Sequence, residues 1–363
     1  MSSQQTVVVS MSGGVDSSVA AKMMVDQGYR AVGMTMRLYK GAEAESASCS
    51  TQSCCGEESV DDARLVANTL GIPYYAINFK QEFWDEVITV FANEYFAGRT
   101  PSPCILCNQK LKFESLYDKA MEIGAAYVVT GHYARIGFDD AAGRWNLIRG
   151  KDRNKDQSYF LFGMTQEQLS KTLFPCGEFS KPEIRLFAEE GDLVTAKKRE
   201  SQDICFIPNG DYAGFLERNF PERAAAAKGN IKKADGTLLG AHNGIHSLTI
   251  GQRKLGMAFG QPLYVSGIDA VTKDVTVGER HQVEKREMTV SRMNWIAKEP
   301  HVGETFTLSV RIRSRGPESV ATVTALEDNR AEVVFVEPQL AITPGQAAVF
   351  YDEDKVFGGG WID

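Results

Sequence analysis

At 363 residues the chain exceeds what one compact domain holds, so two or three domains are expected. Hydrophobic residues make up 43% and charged residues 24%, an ordinary globular balance, and no apolar run approaches the ~18 residues of a membrane span. The net charge of −7 argues at first against a nucleic-acid partner, but a large folded ligand is met by local patches and not by net charge. Residues 1–6 carry no basic flank, so no export signal is read there, and a cytoplasmic protein is expected. Seven cysteines, an odd number, then point to thiol chemistry or metal ligation more than to a disulfide framework.

The first element is Val7-Val8-Val9-Ser10, an apolar β-branched run that stops at Met11-Ser12-Gly13-Gly14-Val15-Asp16-Ser17-Ser18. A helical pattern follows, with Val19, Ala20, Met23 and Met24 on one side. A buried strand feeding a glycine turn and a helix is a phosphate cradle: glycines admit the anion to the backbone, and helix N–H groups meet it. The loop has no lysine and the chain has no G-x-x-x-x-G-K-[ST], so this is not a Walker A loop.

Residues 31–36 read as the second strand, 59–70 as an amphipathic helix ended by Gly71-Ile72-Pro73, and 74–78 as the third strand. Residues 82–96 and 107–123 read as helices, and Tyr127-Val128-Val129-Thr130 as a strand ending in Gly131-His132. This alternation predicts a parallel, doubly wound sheet with ligands at the carboxyl ends of its strands, where the glycine loop, Met36 and Gly131-His132 all fall. After about residue 210 the pattern changes. Residues 228–244 are rich in Gly, Lys and Asn, with Asp235-Gly236 as a turn; residues 306–310 and 331–335 alternate as antiparallel strands do, and Glu327-Asp328-Asn329 and Thr343-Pro344-Gly345 read as turns. A small all-β domain is expected at the C-terminal end. Lys197-Lys198-Arg199 and Arg311-Ile312-Arg313-Ser314-Arg315 are basic patches; if the second is a strand, its three arginines share one face.

The cysteines fall in different contexts. Cys49, Cys54 and Cys55 lie in a small polar loop and read as incidental thiols before they read as metal ligands. Cys176, in Phe174-Pro175-Cys176-Gly177, reads as a turn residue. Cys104-Ile105-Leu106-Cys107 follows Pro101-Ser102-Pro103 at the start of a helix, where the dipole favours a thiolate. Cys205 stands apart in Ser201-Gln202-Asp203-Ile204-Cys205-Phe206.

The loop Ser12-Gly13-Gly14-Val15-Asp16-Ser17 resembles the PP-loop of ATP pyrophosphatases. Together with Thr100-Pro101-Ser102-Pro103 through Cys107-Asn108, Thr130-Gly131-His132-Tyr133, Lys155-Asp156-Gln157-Ser158-Tyr159-Phe160, residues 201–206 and Gly244-Ile245-His246-Ser247-Leu248-Thr249-Ile250-Gly251-Gln252-Arg253, it resembles the tRNA-specific 2-thiouridylases. These are bacterial enzymes that thiolate the wobble uridine of tRNA, and the matching motifs span nearly the whole chain. The resemblance implies an α/β fold: a doubly wound parallel-sheet ATP-pyrophosphatase domain over 1–210, a small central domain over 211–285, and a C-terminal β-barrel that contacts tRNA over 286–363.

The resemblance further implies that Ser10, Met11, Ser12, Gly13, Gly14, Val15, Asp16, Ser17, Met36 and Gly131 bind ATP, with Asp16 positioning Mg²⁺. Cys107 corresponds to the nucleophile and Cys205 to the persulfide carrier. Ser102, Pro103 and Cys104 approach the target base, while His132, Lys155, Asp156, Gln157, Arg311, Ile312 and Gln346 correspond to tRNA contacts. Sulfur then comes from a partner protein, a sulfur relay or cysteine desulfurase, and no membrane is involved. Two departures stand out: Cys104 where many members have Asp, and Ser102 where Asn is usual. The first opens a second reading, in which Cys104, Cys107 and Cys205 are the ligands of an iron–sulfur cluster. An amidotransferase-coupled synthetase would need a glutaminase motif, and none is evident. A thiolase acting on another base shares the ATP chemistry without the Gly244–Arg253 motif, and a non-catalytic RNA-binding redox sensor has no use for an intact Ser-Gly-Gly loop.

Overall fold

The computed structural model describes residues 4–38, 57–200, 204–255 and 261–363. Strand β1 (Thr6–Ser10) leads through the glycine loop to helix α1 (Val15–Asp26), then β2 (Arg30–Arg37), α2 (Glu57–Leu70) and β3 (Tyr74–Asn78). Val7, Val8 and Val9 have no exposed surface, as a parallel strand covered on both faces requires. Helix α2 buries Ser59, Val60, Ala63, Val66 and Ala67, the three-to-four spacing of one helical face. β4 (Tyr127–Val129) and β7 (Thr172–Leu173) complete a parallel sheet in the order β3-β2-β1-β4-β7. The chain builds outward from β1 to β3 and then returns to the other side of β1. The crevice therefore opens between the carboxyl ends of β1 and β4, where the strand order reverses.

Two long helices flank this sheet: α3 over residues 80–96 and α4 over residues 103–122, with π-helical stretches at Trp84–Thr89 and Cys107–Ser115. Helix α4 starts at Pro103, ahead of the Cys107 expected from periodicity. Proline suits a first helical position because its missing N–H has no intrahelical partner there. The short α5 (Gln166–Ser170) and α6 (Lys181–Glu190) follow, α6 opening on a Ser180/Glu183 capping box.

The hairpin β5 (Ala134–Asp139) and β6 (Arg144–Arg149) leaves the parallel sheet altogether. It adds to the C-terminal sheet through β6 and β17, so the boundary near residue 210 is not a clean spatial one. Helices α7 (Tyr212–Asn219) and α8 (Pro221–Ala225) precede a four-stranded sheet of β8 (Gly229–Lys233), β9 (Leu238–His242), β10 (Tyr264–Ile268) and β11 (Val275–Gly278), in the order β10-β11-β8-β9. The last six strands are β12 (Glu284–Trp295), β13 (Thr305–Arg311), β14 (Ser319–Leu326), β15 (Arg330–Leu340), β16 (Ala347–Asp352) and β17 (Lys355–Ile362). Antiparallel pairing of β12 with β17 closes them into a barrel. The expected turn at Glu327-Asp328-Asn329 is there, with Asp328 and Asn329 at φ of 57° and 55°, a tight-hairpin conformation these residue types tolerate.

One apolar cluster joins Val8, Phe83 and Phe91 of the α/β layer to Phe206, Phe215, Ile231 and Val265 of the middle of the chain. Phe206 packs edge-on against Phe83 and Phe91, with ring centroids 5.5 and 5.4 Å away. Among the described residues, no helix is long and apolar enough to cross a membrane.

Candidate active site

The glycine loop sits at the sheet's reversal point. Gly13 has φ +70°, and a Cβ there would fall 2.0 Å from the Ser59 carbonyl oxygen, so α2 leaves room for glycine alone. The Ser12 N–H donates to Ser17 Oγ at 3.1 Å, and the Ser17 and Ser18 hydroxyls donate to the Gly14 carbonyl at 3.2 and 2.8 Å. Gly131 backs this turn: a Cβ would lie 2.6 Å from the Asp16 carbonyl carbon and 2.7 Å from Ser17 N. Met11 is fixed by its N–H to the Met34 carbonyl and by the Thr35 hydroxyl donating to its own carbonyl. Met36 lies near the end of β2, half-buried beside Ile77. Ser10 through Ser17, Met36 and Gly131 thus gather at the carboxyl ends of β1, β2 and β4, with the loop at the N-terminus of a twelve-residue helix.

Asp16 is held by neighbours distant in sequence. Its Oδ1 accepts from the Tyr133 hydroxyl at 2.7 Å and from Lys181 Nζ at 2.6 Å. Lys181, nine-tenths buried, reaches Glu200 as well at 3.1 Å, and Glu200 also takes Lys155 at 2.6 Å and Arg185 at 3.6 Å. Burial opposes a charge on Glu200, yet Lys155 and Lys181 together keep its carboxyl below the usual range. Sequence reasoning missed Lys181 and Glu200; the signal was a lysine at the start of a capped helix, too common to single out. Cys176 donates to the Asp16 carbonyl at 3.3 Å, and burial pushes its thiol far up, so it is an inert packing residue.

Cys104 is exposed, whereas Cys107 and Cys205 are half-buried and pack against the same apolar cluster, beside Leu106 and Ile204. Asn108 anchors α4 by donating to the Phe160 carbonyl at 3.0 Å. Gln346 donates to the Thr100 and Pro101 carbonyls at 2.9 and 3.2 Å, and Thr100 N–H donates to the Pro344 carbonyl at 2.8 Å. A barrel turn thereby grips the segment leading to Ser102, Pro103 and Cys104. Among the described residues, no three His, Cys, Asp or Glu side chains gather closely enough to hold a metal. Cys49, Cys54, Cys55 and residues 201–203 lie outside the described residues.

Several residues aligned with tRNA contacts face inward. Asp156 accepts from the Gly150 and Ser158 N–H groups and the Ser158 hydroxyl, with 2% of its side chain exposed. Gln157 accepts from the Tyr133 N–H at 2.9 Å, fixing the tyrosine that binds Asp16. Arg311 pairs with Glu318 at 2.5 Å beside Arg149, which stacks 3.6 Å over the Tyr351 ring and binds Glu318 at 2.7 Å. Ile312 is buried, and β13 stops at Arg311. Arg311, Arg313 and Arg315 therefore do not share a strand face: Arg313 instead donates to the Leu340 and Ala341 carbonyls. In the other patch Lys198 turns to Asp62 at 2.5 Å. His132 is 8% exposed, with Nδ1 2.6 Å from Thr130 Oγ1 and Nε2 3.4 Å from Lys112 Nζ.

Comparison with known proteins agrees with this architecture. A family model described as a tRNA methyl transferase HUP domain matches residues 5–209, a tRNA methyl transferase PRC-barrel domain matches 214–279, and an aminomethyltransferase beta-barrel domain matches 285–362. The tRNA-specific 2-thiouridylase MnmA of Solibacter usitatus is 47% identical over 371 residues, covering 99% of this chain and all of that one. That of Acidobacterium capsulatum is 46% identical over 374 residues, covering 100% of both. Identity of this extent, end to end, leaves one conclusion: the chain belongs to the tRNA-specific 2-thiouridylase family.

Proposed function

We propose that the protein is an ATP-dependent tRNA-uridine 2-sulfurtransferase that acts on the wobble uridine. The observation that supports this reading is that Gly131 packs on the Ser12–Ser17 loop, while Cys107 of α4 and Cys205 pack on the one apolar cluster that Val8 of β1 also joins. A uracil carbonyl oxygen is a poor leaving group, and the loop supplies the remedy. ATP binds with its phosphates on the loop and on the N-terminus of α1; Asp16 would hold the accompanying Mg²⁺, which would neutralise phosphate charge, and Lys181 would meet the phosphates. The uracil O2 attacks the α-phosphorus, the bond to pyrophosphate breaks, and the N3 proton passes to water.

The terminal sulfur of a persulfide on Cys205 then attacks C2, and AMP leaves with the electron pair. Cys107 attacks Cys205 Sγ, which releases the thiocarbonyl base and leaves a Cys107–Cys205 disulfide for an external dithiol to reduce. In a second order of events Cys107 attacks the persulfide first and frees sulfide, which then attacks C2. Both orders need a sulfur-donor protein, since nothing in the chain generates sulfane sulfur. Ser102, Pro103 and Cys104 meet the base in this reading, Lys155 meets a tRNA phosphate, and Gln346 sets the 100–103 segment. The purified protein, given tRNA, MgATP and a persulfide donor, should release pyrophosphate and yield 2-thiouridine by nucleoside mass spectrometry. Pyrophosphate that appears without tRNA, or a thiolated base other than uridine, overturns the reading.

A further inference from the structure

The buried and half-buried lysines Lys181, Lys155 and Lys198 are matched by carboxylates. Lys181 has Asp16 and Glu200, Lys155 has Glu200, and Lys198 has Asp62. Lys112 is different. It is half-buried in the π-helical stretch of α4, and among the described residues no carboxylate pairs with it. Its contact is the imidazole of His132, 3.4 Å from its ammonium.

The imidazole is itself fixed. Nδ1 lies 2.6 Å from Thr130 Oγ1, and the ring packs among Phe113 and Phe174. Burial, with Lys112 adding to it, keeps His132 neutral far below the usual histidine range. With the lysine donating to Nε2, the ring proton sits on Nδ1 and goes to Thr130, an assignment set by the network. Two ammonium protons of Lys112 remain for a ligand. His132 follows Gly131, the residue packed against Asp16 and Ser17 at the start of α1. Lys112 also stands five residues after Cys107, the spacing of one π-turn, which brings the two onto one side of α4.

We propose that Lys112 is a catalytic residue that binds the α-phosphate of ATP, held in place by His132. The inference rests on the adenylation reading above. The loop and α1 take the outer phosphates, and a cation beside both that loop and the sulfur-bearing helix meets the phosphorus between them. During adenylation the O2–phosphorus bond forms, the bond to the pyrophosphate oxygen breaks, and charge on the α-phosphate oxygens is met by the ammonium. When sulfur attacks C2 and the C2–O2 bond breaks, the same ammonium meets the charge that AMP carries away.

The test measures pyrophosphate release from MgATP and tRNA, alongside tRNA affinity across a salt series. Lys112→Ala should lower kcat for release about 10²- to 10³-fold, with tRNA affinity unchanged. Lys112→Met, which keeps the stem packed, should behave alike and guards against a folding defect. Lys112→Arg should recover part of the rate, and His132→Gln should fall between. Wild-type kcat in Lys112→Ala overturns the inference. So does a weakened tRNA complex whose salt slope drops by about one at unchanged kcat, because Lys112 would then meet an RNA phosphate. If wild-type protein itself releases no pyrophosphate, the adenylation reading fails and this inference with it.

Discussion

Two charge clusters in this molecule, one with lysines among its cations and one with arginines alone, pair an Asp and a Glu with their cations in different ways. At the crevice, Asp16, Lys181, Glu200, Lys155 and Arg185 form a chain in which Lys181 divides itself between two carboxylates on separate segments. At the barrel, Arg149, Arg311, Glu318 and Asp156 close against Tyr351, joining the 134–149 hairpin to β13 and β16. An incoming phosphate competes readily for the shared lysine of the first cluster. In the second cluster Arg149 and Arg311 share the single carboxylate of Glu318 at close range. Both clusters lie in motifs that resemblance ties to ligand binding. The first cluster joins segments around the glycine loop, and the second joins the 134–149 hairpin to the barrel.

Variants of the crevice should therefore stop chemistry and spare the fold. The largest effect is expected at the thiols: Cys107→Ser and Cys205→Ser each bring thiolation to background while pyrophosphate release continues. A donor-treated protein should gain sulfur mass on Cys205, and gain confined to Cys49, Cys54 or Cys55 would defeat the assignment. Next, Asp16→Ala should cut tRNA-dependent pyrophosphate release by about 10²- to 10³-fold and leave tRNA affinity nearly intact. Full release in that variant would mean that Lys181 and the loop hold the phosphates without a carboxylate.

What could be read from the chain itself follows the same division. Residues 74–78 were expected as a strand and are one, and the Val7–Ser10 run, the glycine loop and the alternation that follows lead to the parallel sheet. These are local signals, set by side-chain period and backbone freedom. The partnership of Asp16 with Lys181 spans 165 residues, and no period or motif encodes it. The departure of the 134–149 hairpin to the barrel was equally hidden, because strand propensity does not say which sheet a strand joins. The arginine run misled for a related reason: alternation holds only while a strand continues, and β13 stops at Arg311.

Variants of the barrel joint should do the reverse of those at the crevice. Arg149→Ala leaves Glu318 and Asp156 short of a cation and removes the stack on Tyr351. The expected cost is about 2–3 kcal/mol, below that of a fully buried pair because Glu318 keeps contact with water. Denaturant unfolding should show the loss, while the thiolation rate per folded molecule stays near wild type. An unchanged midpoint with lost activity would move this cluster into the ligand site.

The smallest expected effect separates the clusters by pH. His132 is neutral in the fold because burial, and then Lys112, lower its pKa, whereas in the unfolded chain it titrates near 6.5. Above that value both states are neutral and the full stability is present. As pH falls below about 6.5 the unfolded state takes up a proton that the folded state refuses, so stability drops by up to about 1.4 kcal/mol per pH unit. Glu318 at the barrel joint behaves oppositely: burial resists its charge, but Arg149 and Arg311 hold its carboxyl below the usual range, so its contribution is lost only as pH falls below about 4.5. Between pH 7 and 5, then, the pH dependence belongs to histidines and not to the joint. His246, also lowered by burial, contributes equally to wild type and to a His132 variant, and cancels in their difference. Unfolding free energies of wild type and His132→Gln, taken at pH 7, 6 and 5, should converge as pH falls, because the variant has lost the proton-linked penalty. Parallel curves would show that His132 takes up a proton in the fold as readily as in the unfolded chain, against the burial and the Lys112 contact that should lower its pKa.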